Sequence, residues 1–295
     1  MPKMDGYTAA RRIMEEHPTP IVVVTASSNI DDTATAMRVL EAGAITVVQK
    51  PQGPSHPNFG RDARELIRIL RVAAEVKLVR RRPAPERQSA ITEAASLPVT
   101  TRMPKLVLIG ASTGGPAALK SLLDRLSADL PWPILVVQHI SPGFLPSLCE
   151  WLNYSSALPV RVAEFGEKVQ PGHVYLAPDL CHMEIDDSLC IRLLADSESG
   201  LLQPSVARLF ASAARNVGAD VVAILLSGMG SDGVDEMVQL RRLGALTLAQ
   251  DPDSVVVNGM PGNAVKRGAV DRVLRPEQIA ALLTKLAGSA KGKGD

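Results

Sequence analysis

Aromatic residues are scarce in this chain of 295 residues: two Trp, three Tyr and four Phe, or 3%. Single strands of nucleic acid are held by stacking bases on aromatic rings, and duplexes by an excess of positive charge. With a formal net charge of only +1, the chain offers neither, which argues against nucleic acid as a partner. Long apolar runs are missing as well. No stretch approaches the roughly 18 residues needed to span a bilayer, and Asp5 stands where a signal peptide would carry its apolar core. No membrane insertion is expected. Cysteine is limited to Cys149, Cys181 and Cys190, an odd number without metal-ligand spacing, which points to reduced thiols in a cytoplasm. The five histidines show no paired spacing for a metal either.

What is present is material for a core. Hydrophobic residues make up 46% and charged residues 21%, as in soluble globular proteins, and the length allows roughly two domains. The stretch that organises the chain is KLVLIGASTGGPAALK, Lys105 to Lys120. Lys105 to Ile109 reads as a buried strand, Gly110 to Gly115 as a turn, and Pro116, Ala117, Leu119, Leu122 and Leu123 as a helical pattern. Ser112 therefore stands at the carboxyl end of a strand and the amino end of a helix, beside unpaired N–H groups that favour negative charge. A dinucleotide fingerprint is disfavoured, because the spacing is G-x-x-x-G-G and the next strand, Ile134 to Gln138, ends in His139 rather than an acid. A phosphate-gripping loop needs Lys then Ser or Thr after its last glycine, and Gly115 is followed by Pro116. No cofactor is implied. The competing reading of Ser112 and Thr113 is a pair of hydroxyls that only cap the helix.

The first 80 residues form a unit of their own. Tyr7 to Glu16 reads as a helix with Ala9, Ala10, Ile13 and Met14 inward, followed by strand Ile21 to Thr25. A helix begun at Asp31 or Asp32 carries Ala36, Met37, Leu40 and Ala42 to a stop at Gly43; strand Ile45 to Val48 and a helix from Arg61 to Val79 complete the unit. Two strands are few for a doubly wound domain. Residues 80–103, with Arg80 to Arg82, Pro83 and Pro85, read as a linker.

Beyond Met103 the strand and helix alternation is long enough for a full α/β domain with a doubly wound, mostly parallel sheet. It includes strand Ile134 to His139, a helix begun by Ser141 with Pro142 first, and short strands Val160 to Glu164 and Val174 to Ala177. A hairpin of Met183 to Ile185 with Cys190 to Leu193 follows, then helix Ser205 to Arg215, strand Val221 to Ser227 and helix Val234 to Arg242. Strand Ala245 to Gln250, a short helix near Asn263 and a last helix Pro276 to Leu286 end it, before a frayed tail.

Three polar residues share one placement. Ser112, His139 and Asp232 each follow the carboxyl end of an apolar strand, the edge where open parallel sheets form ligand sites. A serine hydroxyl becomes a nucleophile when an imidazole accepts its proton, and a buried carboxylate fixes the imidazole tautomer. Each residue also has a structural reading, His139 as a hydrogen-bonded strand end and Asp232 as a helix cap. The order Ser, His, Asp differs from the Ser, acid, His order of α/β-hydrolases.

Two resemblances sharpen this. MPKMDG, IVVVTAS and EAGAITVVQKP resemble the second half of a response-regulator receiver (flavodoxin-like) domain, with Thr25 at its phosphoryl-contacting hydroxyl and Lys50 at its phosphate-binding lysine. The phosphorylated Asp and the magnesium-binding acidic pair of that family precede the MPxMDG motif, so the chain as written holds no phosphoacceptor. The expectation is an N-terminally truncated receiver, deaf to its kinase, unless the true start lies upstream; treatment with acetyl phosphate tests it. IGASTGG, VVQHISPGF, PGHVYLAPDLCHME, LLSGMGSDG and NGMPGNAV resemble the catalytic domain of the chemotaxis protein-glutamate methylesterase/glutamine deamidase (CheB) family over Pro104 to Leu286.

That resemblance implies a serine hydrolase that removes methyl groups from glutamate γ-methyl esters on chemoreceptors, releasing methanol, and deamidates glutamines. It implies Ser112 as nucleophile, His139 as base, Asp232 as its orienting residue, and Thr113 and Met229 as backbone donors to the oxyanion, with no metal. Methyl-accepting receptors are the implied partners, with a chemotaxis histidine kinase if the receiver were complete. The domains expected are a half receiver at 1–79, a linker at 80–103, a methylesterase domain at 104–289 and a tail at 290–295. Gln203-Pro204-Ser205 and Ala207 depart from the family pattern, in a loop expected to border the substrate. Rival readings are another serine esterase, which would hydrolyse small esters but not methylated receptor, and a non-catalytic receptor-binding module.

Overall fold

The structure, a computed structural model, describes residues 4–26, 37–76, 103–195 and 203–291. Residues 80–102 of the expected linker, the end of the helix expected to reach Val79, the start of the helix placed at Asp31 or Asp32, and residues 292–295 of the tail lie outside the described residues. The larger domain is built on a seven-stranded sheet in which every neighbouring pair is parallel. Its strands are β3 (Leu106–Ala111), β4 (Ile134–Gln138), β5 (Val160–Val162), β6 (Val174–Leu176), β9 (Val221–Leu225), β10 (Leu246–Gln250) and β11 (Arg272–Leu274), in the order β11-β10-β9-β3-β4-β6-β5. A separate antiparallel hairpin pairs β7 (His182–Ile185) with β8 (Ile191–Leu194). The chain winds outward from β3 to one side, then returns to β9 on its other side, so the strand order reverses between β3 and β9.

Alternation along the strands divides the core into two layers. Val107, Ile109, Ile134, Val136, Val222, Ile224 and Leu248 pack with helices α3 (Gly115–Leu123), α4 (Leu145–Asn153) and α8 (Pro276–Lys291). Leu106, Leu108, Leu135, Val137, Val221, Ala223 and Leu225 face α5 (Val206–Asn216), α6 (Val234–Leu243) and α7 (Met260–Lys266). A strand covered on both faces is apolar along its length, which is why β3 and β9 are apolar throughout and β4 is apolar up to its last residue, Gln138. β11 was not foreseen: its sequence is short and polar at Arg272, and only its place at the sheet edge makes it a strand. Helix α8 runs to Lys291, past the boundary expected for the tail.

The amino-terminal unit contains α1 (Gly6–Glu16), β1 (Val22–Thr25), a helical segment at 37–41, β2 (Thr46–Gln49) and α2 (Phe59–Glu75), with β1 and β2 paired in parallel. Of the α1 residues expected inward, Ala10 is buried but Ile13 is exposed. A two-stranded sheet is too narrow to cover both sides of that apolar stripe. The helix expected from Ser141 and Pro142 instead starts at Leu145, with Pro146 in its first turn. Gly143 adopts a left-handed backbone and donates its N–H to Asp179 at 2.7 Å, so residues 141–144 are spent in a turn.

Candidate active site

The turn bearing Ser112 is held by its neighbours. The Ser112 N–H donates to the Ser227 carbonyl at 3.0 Å, and the His139 N–H to the Ala111 carbonyl at 2.9 Å, which ties the ends of β3, β4 and β9 together. Gly114, at φ +79°, caps α3 in a left-handed conformation that costs other residues roughly 1–2 kcal/mol. A Cβ there would also lie 2.6 Å from Ser227 Oγ. Gly228 lets the neighbouring loop approach Ser112, since a Cβ on it would lie 2.9 Å from the Ser112 Cβ. Ser112 itself is buried, and its hydroxyl makes no hydrogen bond among the described residues.

His139 and Asp232 meet as expected from their strand-end positions. His139 Nε2 lies 3.0 Å from Asp232 Oδ2. Burial alone would raise the Asp232 carboxyl above its ordinary value, but hydrogen bonding and charge from His139, with backbone N–H groups of Ala207 and Val206, hold it below. Oδ1 accepts from the Ser205 hydroxyl at 2.9 Å and the Ala207 N–H at 3.0 Å, and Oδ2 from the Val206 N–H at 2.7 Å. The carboxylate thus sits on the amino terminus of α5, where unpaired N–H groups favour negative charge. An ionised Asp232 can only accept, so His139 Nε2 is the donor in this pair and Nδ1 is the ring nitrogen that Asp232 leaves free. The second link, from Ser112 to His139, is not made.

Thr113 and Met229 occupy the two turns that flank Ser112. The backbone N–H of neither residue has an acceptor among the described residues. The loop bearing Met229 is fixed from outside: the Gly259 and Met260 N–H groups donate to the Gly228 carbonyl, at 3.0 and 2.9 Å, and Asn263 Nδ2 to the Gly230 carbonyl at 2.9 Å. Two N–H groups without acceptors beside a serine suit a developing oxyanion. Among the described residues no three His, Cys, Asp or Glu side chains gather as metal ligands, and no helix is long and apolar enough to cross a membrane.

Residues 107–283 match the family model described as CheB methylesterase. The chain belongs to the CheB methylesterase family. Residues 1–56 match the response regulator receiver domain. A protein-glutamate methylesterase/protein-glutamine glutaminase of Hahella chejuensis is 59% identical over 97% of this chain and 83% of its own length. A protein of the same description from Geobacter metallireducens is 45% identical, over the same shares of the two chains. The crystal structure of the Thermotoga maritima CheB methylesterase catalytic domain superposes with a TM-score of 0.59 at 35% identity, covering 62% of this chain and 98% of that one.

In this CheB-family chain the receiver-like unit rests against the site. Val48 and Ile69 form an apolar cluster with Met229 and Val257, and the Gln49 N–H donates to Ser141 Oγ, two residues beyond His139, at 3.3 Å. Thr25 and Lys50 are adjacent, with the Lys50 N–H bonded to the Thr25 carbonyl at 2.7 Å, and the Lys50 side chain is exposed without an acidic partner among the described residues. Sequence reasoning missed three residues that hold the site. The Ser205 hydroxyl donates to Asp232. Ser227 Oγ donates to the Thr113 carbonyl at 2.8 Å and accepts from the Val257 N–H at 3.0 Å. Gln138 links the turns of Ser112 and His139. The available signal was a buried polar residue closing an otherwise apolar strand.

Proposed function

We propose that this hydrolase removes methyl groups from glutamate γ-methyl esters on chemoreceptors and deamidates selected glutamines of the same helices. The observation that carries the reading is the His139–Asp232 pair on the sheet edge that also bears Ser112, beside two N–H groups without acceptors. Ser112 Oγ attacks the ester carbonyl while His139 Nδ1 takes its proton. The Thr113 and Met229 N–H groups stabilise the oxyanion, and losing one such donor typically costs about 3 kcal/mol. His139 returns the proton to the leaving oxygen, methanol departs and an acyl-enzyme remains. A water deprotonated by His139 then releases the glutamate and restores the serine. Cytoplasmic receptor helices are the proposed partners, and the cytoplasm the proposed location; a histidine kinase is the partner proposed for a complete receiver.

The test is methanol release from a methylated receptor fragment. Ser112→Ala should lower turnover by roughly 10⁶-fold with the fold intact; turnover near the parental rate would reject Ser112 as nucleophile. One observation favours a second reading, a site that binds receptor without turning it over: the Ser112 hydroxyl makes no bond to His139. Receptor binding by the unmodified chain with no methanol released would select that reading.

A further inference from the structure

Gln138, the last residue of β4, is buried, and its amide joins the two turns of the site. Nε2 donates to the Ser112 carbonyl at 2.9 Å and to the His139 carbonyl at 2.8 Å. Two acceptors on one side fix the orientation of the amide, since only its nitrogen can donate. Oε1 is left buried without a partner among the described residues, a standing cost for the fold. The amide fits only because residue 115 is glycine: a Cβ there would lie 2.2 Å from Oε1.

We infer that Gln138 is a positioning residue that aims the Thr113 N–H at the developing oxyanion and sets the Ser112 turn against the His139 turn. The Ser112–Thr113 peptide is planar and trans, so its C=O and N–H point in opposite directions. Gln138 Nε2 and the Gly115 N–H, the latter at 2.8 Å, both hold the carbonyl, which leaves the Thr113 N–H facing away from them and without an acceptor. A donor held this way needs no reorganisation when charge develops, and that preorganisation gives an oxyanion hole its effect. The same nitrogen grips the carbonyl of His139, so the nucleophile turn and the base turn move together. The orphaned Oε1 is accounted for by this reading, because an apolar residue of equal size would fill the space without it.

The inference rests on the proposed chemistry, and its test separates the two. Gln138→Met keeps the volume and removes both donors. Its kcat on methylated receptor should fall about 10- to 100-fold while KM stays within twofold, because substrate binding does not use the Thr113 N–H. Gly115→Ala should expel the amide and give a similar kcat-only loss, and the double variant should lose no more than the larger single loss. In Gln138→Glu the carboxylate cannot donate, so activity should rise as the pH falls and the carboxyl protonates, opposite to a profile governed by a general base. Parental kcat in Gln138→Met, fully additive losses in the double variant, or lower thermal midpoints with unchanged kcat would each overturn the inference. If Gln138→Met does not fold, Gly115→Ala and the Gln138→Glu profile decide. Ser112→Ala is the control: turnover surviving in it removes the proposed chemistry, whereas a dead Ser112→Ala beside a fully active Gln138→Met removes only the role of Gln138.

Discussion

The two parallel units of this chain use the same strand and helix alternation and reach very different degrees of burial. All six residues of β3 and all five of β4 are buried, whereas β1 has none buried and leaves Val24 44% exposed. Helix α2 leaves Ile67 and Leu70 nearly half exposed, while Leu119, Leu122 and Leu123 of α3 are inaccessible. The apolar stripes are similar in character; what differs is the number of layers above them. Seven strands with helices on both faces bury the stripes of the larger unit, whereas the two strands described in the smaller unit leave part of theirs exposed. Burial therefore follows the width of the sheet as well as the local pattern, and Ser112, His139 and Asp232 all lie at the edge of the wider sheet.

The largest expected effect tests whether the chemistry belongs to the wider unit alone. Asp232→Asn keeps the shape of the side chain but presents an amide where four donors need acceptors. Turnover should fall by roughly 10⁴-fold, as when the tautomer of a catalytic imidazole is lost, and the receiver-like contact should be unchanged. The stability effect has a defined sign. The Asp232 carboxyl is held below its ordinary 3.8, so its contribution is complete above that value and lost as pH falls through the lower folded value. The gap in stability between parent and variant should be constant from about pH 5 to 8 and close in acid. A gap that widens in acid would contradict the hydrogen bonding described.

Much of this was legible in the sequence, for physical reasons. Apolar runs identified β3, β4 and β9, with Gly-rich turns after β3 and β9, and the strand-end rule placed Ser112, His139 and Asp232 on one edge. The turn at Ser141 was not legible, because Ser-Pro reads as a helix start until Asp179 is seen to hold the Gly143 N–H. The same holds for Ser205 and Gln138, whose distant partners, the Asp232 carboxylate and the Ser112 carbonyl, lie 27 and 26 residues away. β11 depends on pairing with β10 and carries almost no pattern of its own.

A second effect compares the cores directly. Leu108→Ala, at a fully buried position, should cost about 2–5 kcal/mol through lost contacts and an unfilled cavity. Ile67→Ala, at a position 49% exposed, should stay within about 0.5 kcal/mol. Chemical denaturation measures both, and equal losses would erase the distinction between the units.

A smaller effect probes the boundary between them. Burial pushes the Cys149 thiol up to about 11 from 9.0, so little thiolate is available near neutral pH. Cys149 lies in a cluster that continues into Ala10, Met37 and Leu40, and the neighbouring Trp151 Nε1 donates to Glu41 at 2.6 Å. Iodoacetamide should label it roughly 10-fold more slowly than the half-buried Cys181 and Cys190, with the difference abolished in denaturant. Trp151→Phe should narrow the gap if the amino-terminal unit provides part of the cover; an unchanged gap would assign the burial to the larger domain alone.

The smallest expected effect concerns the contact with the site itself. Ile69 packs with Val48, Met229 and Val257, so Ile69→Asp puts a charge into an apolar cluster and should loosen the unit that rests on Met229. Loosening that contact should raise turnover on methylated receptor about fivefold, the low end of coupling between sites. The gain should appear on large receptor substrates more than on a small ester, because a small ester needs less room beside Met229. A fall in turnover on both substrates would mean the opposite, that Val48 and Ile69 support the Met229 loop and keep its N–H in place. The direction of the change, more than its size, separates a cover from a buttress.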